Sequence, residues 1–403
     1  MDTTLTTDAA KIDEILDRGT IVEILPTKDA FRTRLLSGEK LKFYIGFDAT
    51  APTLHLSHAK NLMLLEKFRK IGHEVIVLFG DFTARIGDPT GESTARNQLT
   101  REEVQHNVET WKVLIKPLMD FDAHTNPPRI LYNHDWLSTL ALEDVLKLAG
   151  NFTVQQMLER DMFQKRLLQE KPIYLHEFMY PLMQGYDSVA MDVDVEVCGT
   201  DQTFNALVGR VLQKRINKKE KFVVAVTLME NPKTGELMSK SKGTGVFLDA
   251  SPSDMYGQIM AQPDEMIEIL FINNTLLSKQ EITDICTSAN PRDAKMRLAY
   301  EIVQLFHGDE QAQKAQDAFV ARFQTKTSVE VGEMNIENNM KLIDVLVAIE
   351  FASSKAEARR LLEQGGVKVG GVVVTEDMIL SIPEDGVIIE RGKLKIIKLR
   401  AAI

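Results

Sequence analysis

Along the first half of the chain, short apolar runs alternate with stretches of helical spacing. Residues 42–47 (KFYIGF) and 73–79 (HEVIVLF) read as strands, and the second is apolar at nearly every position, as a strand buried on both faces requires. Between them, 54–71 carries the spacing of an amphipathic helix and is closed by Gly72. Pro52 suits the first turn of that helix, where a missing N–H costs nothing. The theme returns with a strand at 193–198 and a helix at 201–212. Strand and helix in alternation predict an α/β fold whose parallel sheet is covered on both faces. Beyond Pro263 the pattern is helical, as at 294–306, and 325–338 is polar and weakly periodic, the mark of a linker. From Lys341 two helical stretches precede short strands, punctuated by Gly365, Gly366, Gly370 and Gly371. These shifts divide the chain into 1–250, 251–335 and 336–403, the expected size range for domains.

Composition narrows the class. With 44% hydrophobic and 26% charged residues the chain reads as globular and soluble. It has no apolar run of membrane-spanning length, and its first residues lack the apolar core of a secretory signal. Two cysteines, Cys198 and Cys286, make neither a disulfide framework nor a zinc site, so a reducing compartment, the cytoplasm, is expected. A net charge of −10 argues against nucleic-acid binding as a bulk property. The tail differs: Arg391, Lys393, Lys395, Lys398 and Arg400 occur with no acid among them, and a local basic surface is enough to meet a phosphate backbone.

Three segments carry candidate chemistry. The first runs from Tyr44 to His58, leaving a strand and opening a helix. His55 and His58, three apart, share a face near the helix start, where free N–H groups and the positive dipole end favour phosphate. Gly46 leaves room for a nucleotide to approach the backbone. An isolated pair of histidines at such a place is more often structural. The second is Leu237-Met-Ser-Lys-Ser241, between the turn-rich Pro232-Lys-Thr-Gly235 and the glycines Gly243 and Gly245. A lysine on such a loop, Lys240, suits closure over a triphosphate, although a charged loop alone is usually just solvated. The third is Tyr180, Gln184 and Asp187, spaced i, i+4, i+7 on one helix face, which implies either solvent or a polar ligand. Gly87-Asp-Pro-Thr-Gly91 lacks the ending of a Walker phosphate loop, and no dinucleotide fingerprint follows a strand.

Together the segments resemble class I aminoacyl-tRNA synthetases. His55-Leu-Ser-His58 is similar to their HIGH signature, with Ser57 in place of glycine, and Leu237-Met-Ser-Lys-Ser241 to KMSKS, with Leu237 in place of the first lysine. Tyr180-Pro-Leu-Met-Gln-Gly-Tyr-Asp187 resembles the amino-acid helix of the tyrosyl branch, and Gly199-Thr-Asp-Gln202 its GSDQ turn. Residues 354–371 resemble the small RNA-binding domain named for ribosomal protein S-four, which tryptophanyl enzymes typically lack. The resemblance spans about 36–400 and is bacterial in arrangement. It implies a Rossmann-like catalytic domain, a helical domain on the anticodon side (the stretch including 297–308) and a small α+β RNA-binding domain.

The same resemblance implies an activity and a set of roles. L-tyrosine would be activated with ATP, magnesium accompanying the nucleotide, and then passed to the 3′ end of tRNA(Tyr). Tyr180 and Gln184 would contact the substrate ammonium, with Asp88 pairing it, while Tyr44 and Asp187 would hold the phenol hydroxyl and Gln202 would face tyrosine. ATP would meet Gly46, Asp48, His55, His58, Gly199, Asp201, Met238, Ser239, Lys240 and Ser241. Thr50, His55 and Lys240 would stabilise the leaving pyrophosphate, and Lys355, Arg359 and Arg360 would meet RNA. A homodimer joined through the insertion between the sheet halves is usual in the family. Glu92 stands where members often have a basic residue, whereas Arg96 is kept, so Glu92 and Leu237 mark departures; Lys242 is a candidate substitute for the missing cation. Competing readings are a tryptophanyl enzyme, a nucleotidyltransferase that uses no tRNA, and a retired RNA-binding relative.

Overall fold

The computed structural model describes residues 5–88, 99–238, 244–323, 332–352, 354–383, 385–391 and 395–401. They form two compact units, Met1–Ala318 and Phe319–Ile403. The first is built on a six-stranded sheet of β1 (Ile21–Leu25), β2 (Lys42–Phe47), β3 (Glu74–Phe79), β4 (Arg129–Tyr132), β5 (Val195–Gly199) and β6 (Phe222–Val226), in the order β1-β6-β5-β2-β3-β4. All neighbours are parallel except β1, which pairs antiparallel with β6 at the edge. Val75 to Phe79 of β3 are all buried, as the unbroken apolar run requires.

Chain order places the site. From β2 the chain winds outward through β3 and β4, then returns to the other side of β2 with β5 and β6. The winding reverses between β2 and β5, and open parallel sheets bind ligands beyond the carboxyl ends of strands at such a switch point. There lie Gly46 to Asp48 at the end of β2 and Gly199 to Gln202 at the end of β5.

Several element boundaries differ from expectation. The first long helix is Leu56–Lys70, so Pro52 precedes it by four residues instead of lying in its first turn. The cause is tertiary: the Leu56 N–H donates to Val246 O and the Leu248 N–H to Leu54 O, pulling 54–56 into a bridge with 246–248. The strand expected from His73 begins at Glu74, paired with Lys42, while the His73 Nδ1 accepts the Leu41 N–H. The strand expected at 193–198 runs Val195–Gly199, and the helix expected from 201 is a 3₁₀ turn, Thr200–Gln202, followed by Thr203–Ile216.

The helices after Pro252 are bonded into the sheet unit. The Arg18 guanidinium donates to the carbonyls of Ile272, Thr275 and Leu277, and the Asn274 amide donates to Leu56 O.

In the second unit, β7 (Gly332–Ile336) lies within the stretch expected as linker and pairs in parallel with β8 (Lys395–Ala401), some 60 residues on, a long-range pairing that local polarity does not announce. Helices Leu342–Ala348 and Lys355–Glu363 close a core that includes Leu346, Val367, Ile389 and Leu399.

Candidate active site

Polar side chains from five elements converge on a cavity of about 750 Å³ at the switch point. Tyr44, Gly46, Asp48, Thr50, His58, Asp88, Tyr180, Gln184, Asp187, Gly199, Asp201 and Gln202 all line it. The face of helix Met179–Met191 that bears Tyr180, Gln184 and Asp187 is thus turned inward: Tyr180 and Asp187 are buried and Gln184 partly so. A polar face at core positions needs partners, because an unpaired buried polar group costs a kcal/mol or more.

At one end Asp187 is 3% exposed. Its Oδ1 accepts the Trp136 indole N–H at 2.7 Å and its Oδ2 the Asn133 amide at 3.2 Å. Burial pushes its carboxyl well above the usual range, and the two N–H donors pull it back. Asn133 is itself locked, donating also to Thr83 Oγ1 at 3.0 Å and accepting the Phe82 N–H at 3.0 Å. Tyr44, 1% exposed, reaches the same end with its hydroxyl 2.9 Å from Ser188 Oγ, and burial raises its pKa well above 10, so it stays neutral.

Asp48 forms the next layer. It accepts the hydroxyls of Thr83 at 2.7 Å and Tyr180 at 2.8 Å. Burial raises its carboxyl to about 7, against the lowering by these two donors. Gly80 is required beneath it, since a Cβ there would overlap Asp48 Oδ1 and Thr83 Oγ1. Gln202 bridges to Asp88 Oδ2 at 2.6 Å and Asp201 Oδ2 at 3.2 Å, while Asn205 donates to both Gln202 and Gln184.

On the nucleotide side, His55 is the N-cap of its helix and His58 lies in the first turn. Burial lowers His55 to about 4 and His58 to about 3, so both imidazoles are neutral. His58 Nδ1 accepts the His55 N–H at 3.3 Å, which leaves the proton of its ring on Nε2. His58 lines the cavity; His55 does not, and among the described residues its buried Nδ1 has no partner. Met238 is buried, and Ser239, Lys240, Ser241 and Lys242, like Glu92 and Arg96, lie outside the described residues.

Several cavity residues escape sequence reasoning: Thr83, Asn133, Glu196 and Lys60 line it, and Trp136, Ser188 and Lys221 stand behind. Lys60 had a faint signal, a lysine among apolar helix positions. It is 2% exposed, donates to Asn61 Oδ1 at 2.7 Å, and is lowered to about 7 by burial.

In the second unit, Arg359 and Arg360 are exposed, whereas Lys355 pairs with Asp344 at 2.6 Å. The basic tail is partly neutralised: Arg400 pairs with Glu333 and Arg391 with Glu357. Lys393 lies outside the described residues.

A switch-point cavity with His58, at the start of a helix, on one side and a buried carboxyl group at the other end defines a nucleotide-dependent enzyme of the class I synthetase type. The chain belongs to the family described as tRNA synthetases class I (W and Y), whose model matches residues 36–324, and an S4 domain matches 340–387. It is 40% identical to the tyrosine–tRNA ligase of Moorella thermoacetica, over 97% of this chain and 96% of the relative. It is equally 40% identical to that of Thermotoga maritima, over 96% of each. The fold is shared with a C-terminally truncated mitochondrial tyrosyl-tRNA synthetase of Aspergillus nidulans, at a TM-score of 0.67 and 24% identity, covering 78% of this chain and 94% of that one.

Proposed function

We infer that this chain activates L-tyrosine with ATP and transfers the tyrosyl group to the 3′ end of tRNA(Tyr). The observation that carries the choice of amino acid is the buried Asp187 carboxylate, fixed by Trp136 and Asn133 at the end of the cavity that Tyr44 also reaches. A site built to bond a hydroxyl rejects the analogue without it, because its buried partners are then left unpaired.

In the first step the tyrosine carboxylate attacks the α-phosphorus of ATP, the bond to the bridging oxygen breaks, and pyrophosphate leaves. In the second, a terminal ribose hydroxyl of tRNA attacks the acyl carbon and AMP leaves. The substrate supplies the nucleophile, so the protein contributes positioning and stabilisation of charge. Tyr180, Gln184, Asp88 and Gln202 hold the amino-acid end; Tyr44 and Asp187 hold the phenol. Gly46, Asp48, Gly199 and Asp201 receive the adenosine, with Met238, Ser239 and Ser241 beside it. Thr50, His55, His58 and Lys240 meet the phosphates. The free Nε2–H that the geometry leaves on His58 supports this part. Magnesium travels with the ATP phosphates.

Arg359, Arg360 and Lys355 meet tRNA, and the domain roles are catalytic for 1–250, anticodon-side for 251–335 and RNA-binding for 336–403. A homodimer is supported by exposed apolar side chains between β4 and β5, among them Leu142, Leu146, Leu168 and Leu175; its place is the cytoplasm, where two free cysteines stay reduced. Among the described residues no helix is long and apolar enough to cross a membrane.

The test is ATP–pyrophosphate exchange with tyrosine, phenylalanine and tryptophan. Exchange with tyrosine alone is expected; exchange with none of them would point to a retired enzyme.

A further inference from the structure

Behind the tyrosine end of the cavity lies a charged pair with no role in the chemistry above. Lys221 is fully buried and Glu196 is 2% exposed, and they are bonded to each other. Taking two charges out of water is costly, and such a pair is often no more stable than an apolar replacement. Its surroundings suggest what it does. Lys221 Nζ donates to Ser188 Oγ at 2.8 Å and lies 5.8 Å from the centre of the Tyr44 ring. Ser188 Oγ is 2.9 Å from the Tyr44 hydroxyl and 3.4 Å from Glu196 Oε2. Glu196 Oε1 accepts the Gln184 amide at 3.0 Å.

An ammonium can only donate. Ser188 therefore accepts from Lys221 and has one proton left to give. Of its two other neighbours, the Tyr44 oxygen at 2.9 Å is well placed and Glu196 at 3.4 Å is at the limit. A Tyr44 oxygen that accepts from Ser188 turns its own O–H away from Ser188, toward the pocket or the weaker contact it has with Glu196. At the far side Asp187 has an N–H donor on each oxygen, the environment of an acceptor.

We propose that Ser188, held by the buried Lys221–Glu196 pair, sets the direction of the hydrogen bond that Tyr44 offers. The pocket then requires a side-chain group that accepts one bond, from Tyr44, and donates one, to Asp187. A phenol hydroxyl does both. Ser188, Glu196 and Lys221 are positioning residues that act through Tyr44, and the inference rests on the tyrosine reading of the cavity.

Without the Ser188 hydroxyl, the Tyr44 O–H is free to turn toward the nearby Glu196 carboxylate, whose charge already bears on it. The pocket then presents two acceptors, which suits an amine. The test is ATP–pyrophosphate exchange with L-tyrosine and L-4-aminophenylalanine. Ser188→Ala should lower the ratio of kcat/KM for tyrosine over the amine about three- to tenfold, the worth of one hydrogen bond. The KM for ATP should hardly move, whereas the melting temperature should fall because the buried Lys221 loses a bond. Ser188→Cys keeps the volume but donates weakly, and should shift the ratio the same way; it decides the matter if the alanine variant does not fold. In a Tyr44→Phe background, Ser188→Ala should leave the ratio unchanged, because the effect runs through the missing hydroxyl. Equal losses for both amino acids, or a shift that persists in the Tyr44→Phe background, would overturn the proposal. Absence of tyrosine-dependent exchange in the unaltered protein would instead remove the tyrosine reading itself.

Discussion

Asp187→Asn is the sharpest probe of how the cavity reads its amino acid. The carboxylate accepts Trp136 at 2.7 Å through Oδ1 and Asn133 at 3.2 Å through Oδ2. An amide has one acceptor oxygen, and the shorter bond to Trp136 holds it on that side. The new NH₂ then faces the Asn133 NH₂. Asn133 cannot flip to relieve this, because its oxygen accepts the Phe82 N–H and its nitrogen also serves Thr83. The variant thus loses the acceptor for the phenol and sets two donors against each other. A buried polar group left unpaired costs about 1–3 kcal/mol, which corresponds to roughly a five- to 150-fold fall in kcat/KM for tyrosine.

Phenylalanine never makes that bond, so its already poor exchange should change by no more than about twofold. Thermal stability should fall modestly, because burial already disfavours the charged carboxyl and the two opposed amide donors are buried. The assay is pyrophosphate exchange with both amino acids on the purified variant, alongside a melting curve. A proportional fall for tyrosine and phenylalanine would refute the reasoning, because it would mean that Asp187 shapes the cavity without reading the hydroxyl.

Three further outcomes follow from the same geometry. Asp48 has a folded-state pKa of about 7 against 3.8 in the unfolded chain, so between about pH 4 and 7 the folded state holds the extra proton and stability falls as pH rises, levelling off above 7. Asp48→Asn should therefore gain melting temperature relative to the unaltered protein between pH 5 and pH 8, and a difference that stays flat would exclude the buried carboxyl as the cause. Gly80→Ala places a methyl on Asp48 and Thr83, and should cost about 1–3 kcal/mol of stability and raise the KM for tyrosine, both measurable by denaturation and exchange. Replacing Arg359 and Arg360 by alanine should leave pyrophosphate exchange intact but raise the KM for tRNA in aminoacylation and make that KM less sensitive to salt; a loss of exchange would contradict a role confined to RNA.

What was legible in the sequence, and what was not, divides by the range of the interactions. The apolar runs of β2 and β3 declare a sheet buried on both faces, and Tyr180, Gln184 and Asp187 share a helix face because helical spacing alone puts them there. Local rules misplaced Pro52 because the bridge to 246–248, nearly 200 residues away, decides where the helix starts. They also missed β7, which exists through its pairing with β8. The same limit applied to the cavity. Asn133 and Trp136 follow β4, Thr83 follows β3 and Lys221 precedes β6, so no spacing in the chain connects them to Asp187 or Tyr44.

The residues that sequence reasoning missed are those that hold the recognised ones in place, and this has a thermodynamic side. Asp187, Glu196, Lys221 and Lys60 are ionisable groups buried around one cavity, with Asp48 half-buried among them, and the raised carboxyls and the lowered lysine record how unfavourable that is. A core selected for stability alone would replace them with apolar side chains. Their retention is intelligible if each fixes the direction of a bond to substrate. A neutral hydroxyl such as Tyr44 or Ser188 donates either way round, whereas an ammonium only donates and an ionised carboxylate only accepts. The Lys221 ammonium at one end of a chain of hydroxyls and the N–H donors fixed on Asp187 at the other therefore give it one direction, and a pocket with a direction distinguishes a phenol from an aniline as well as from a bare ring.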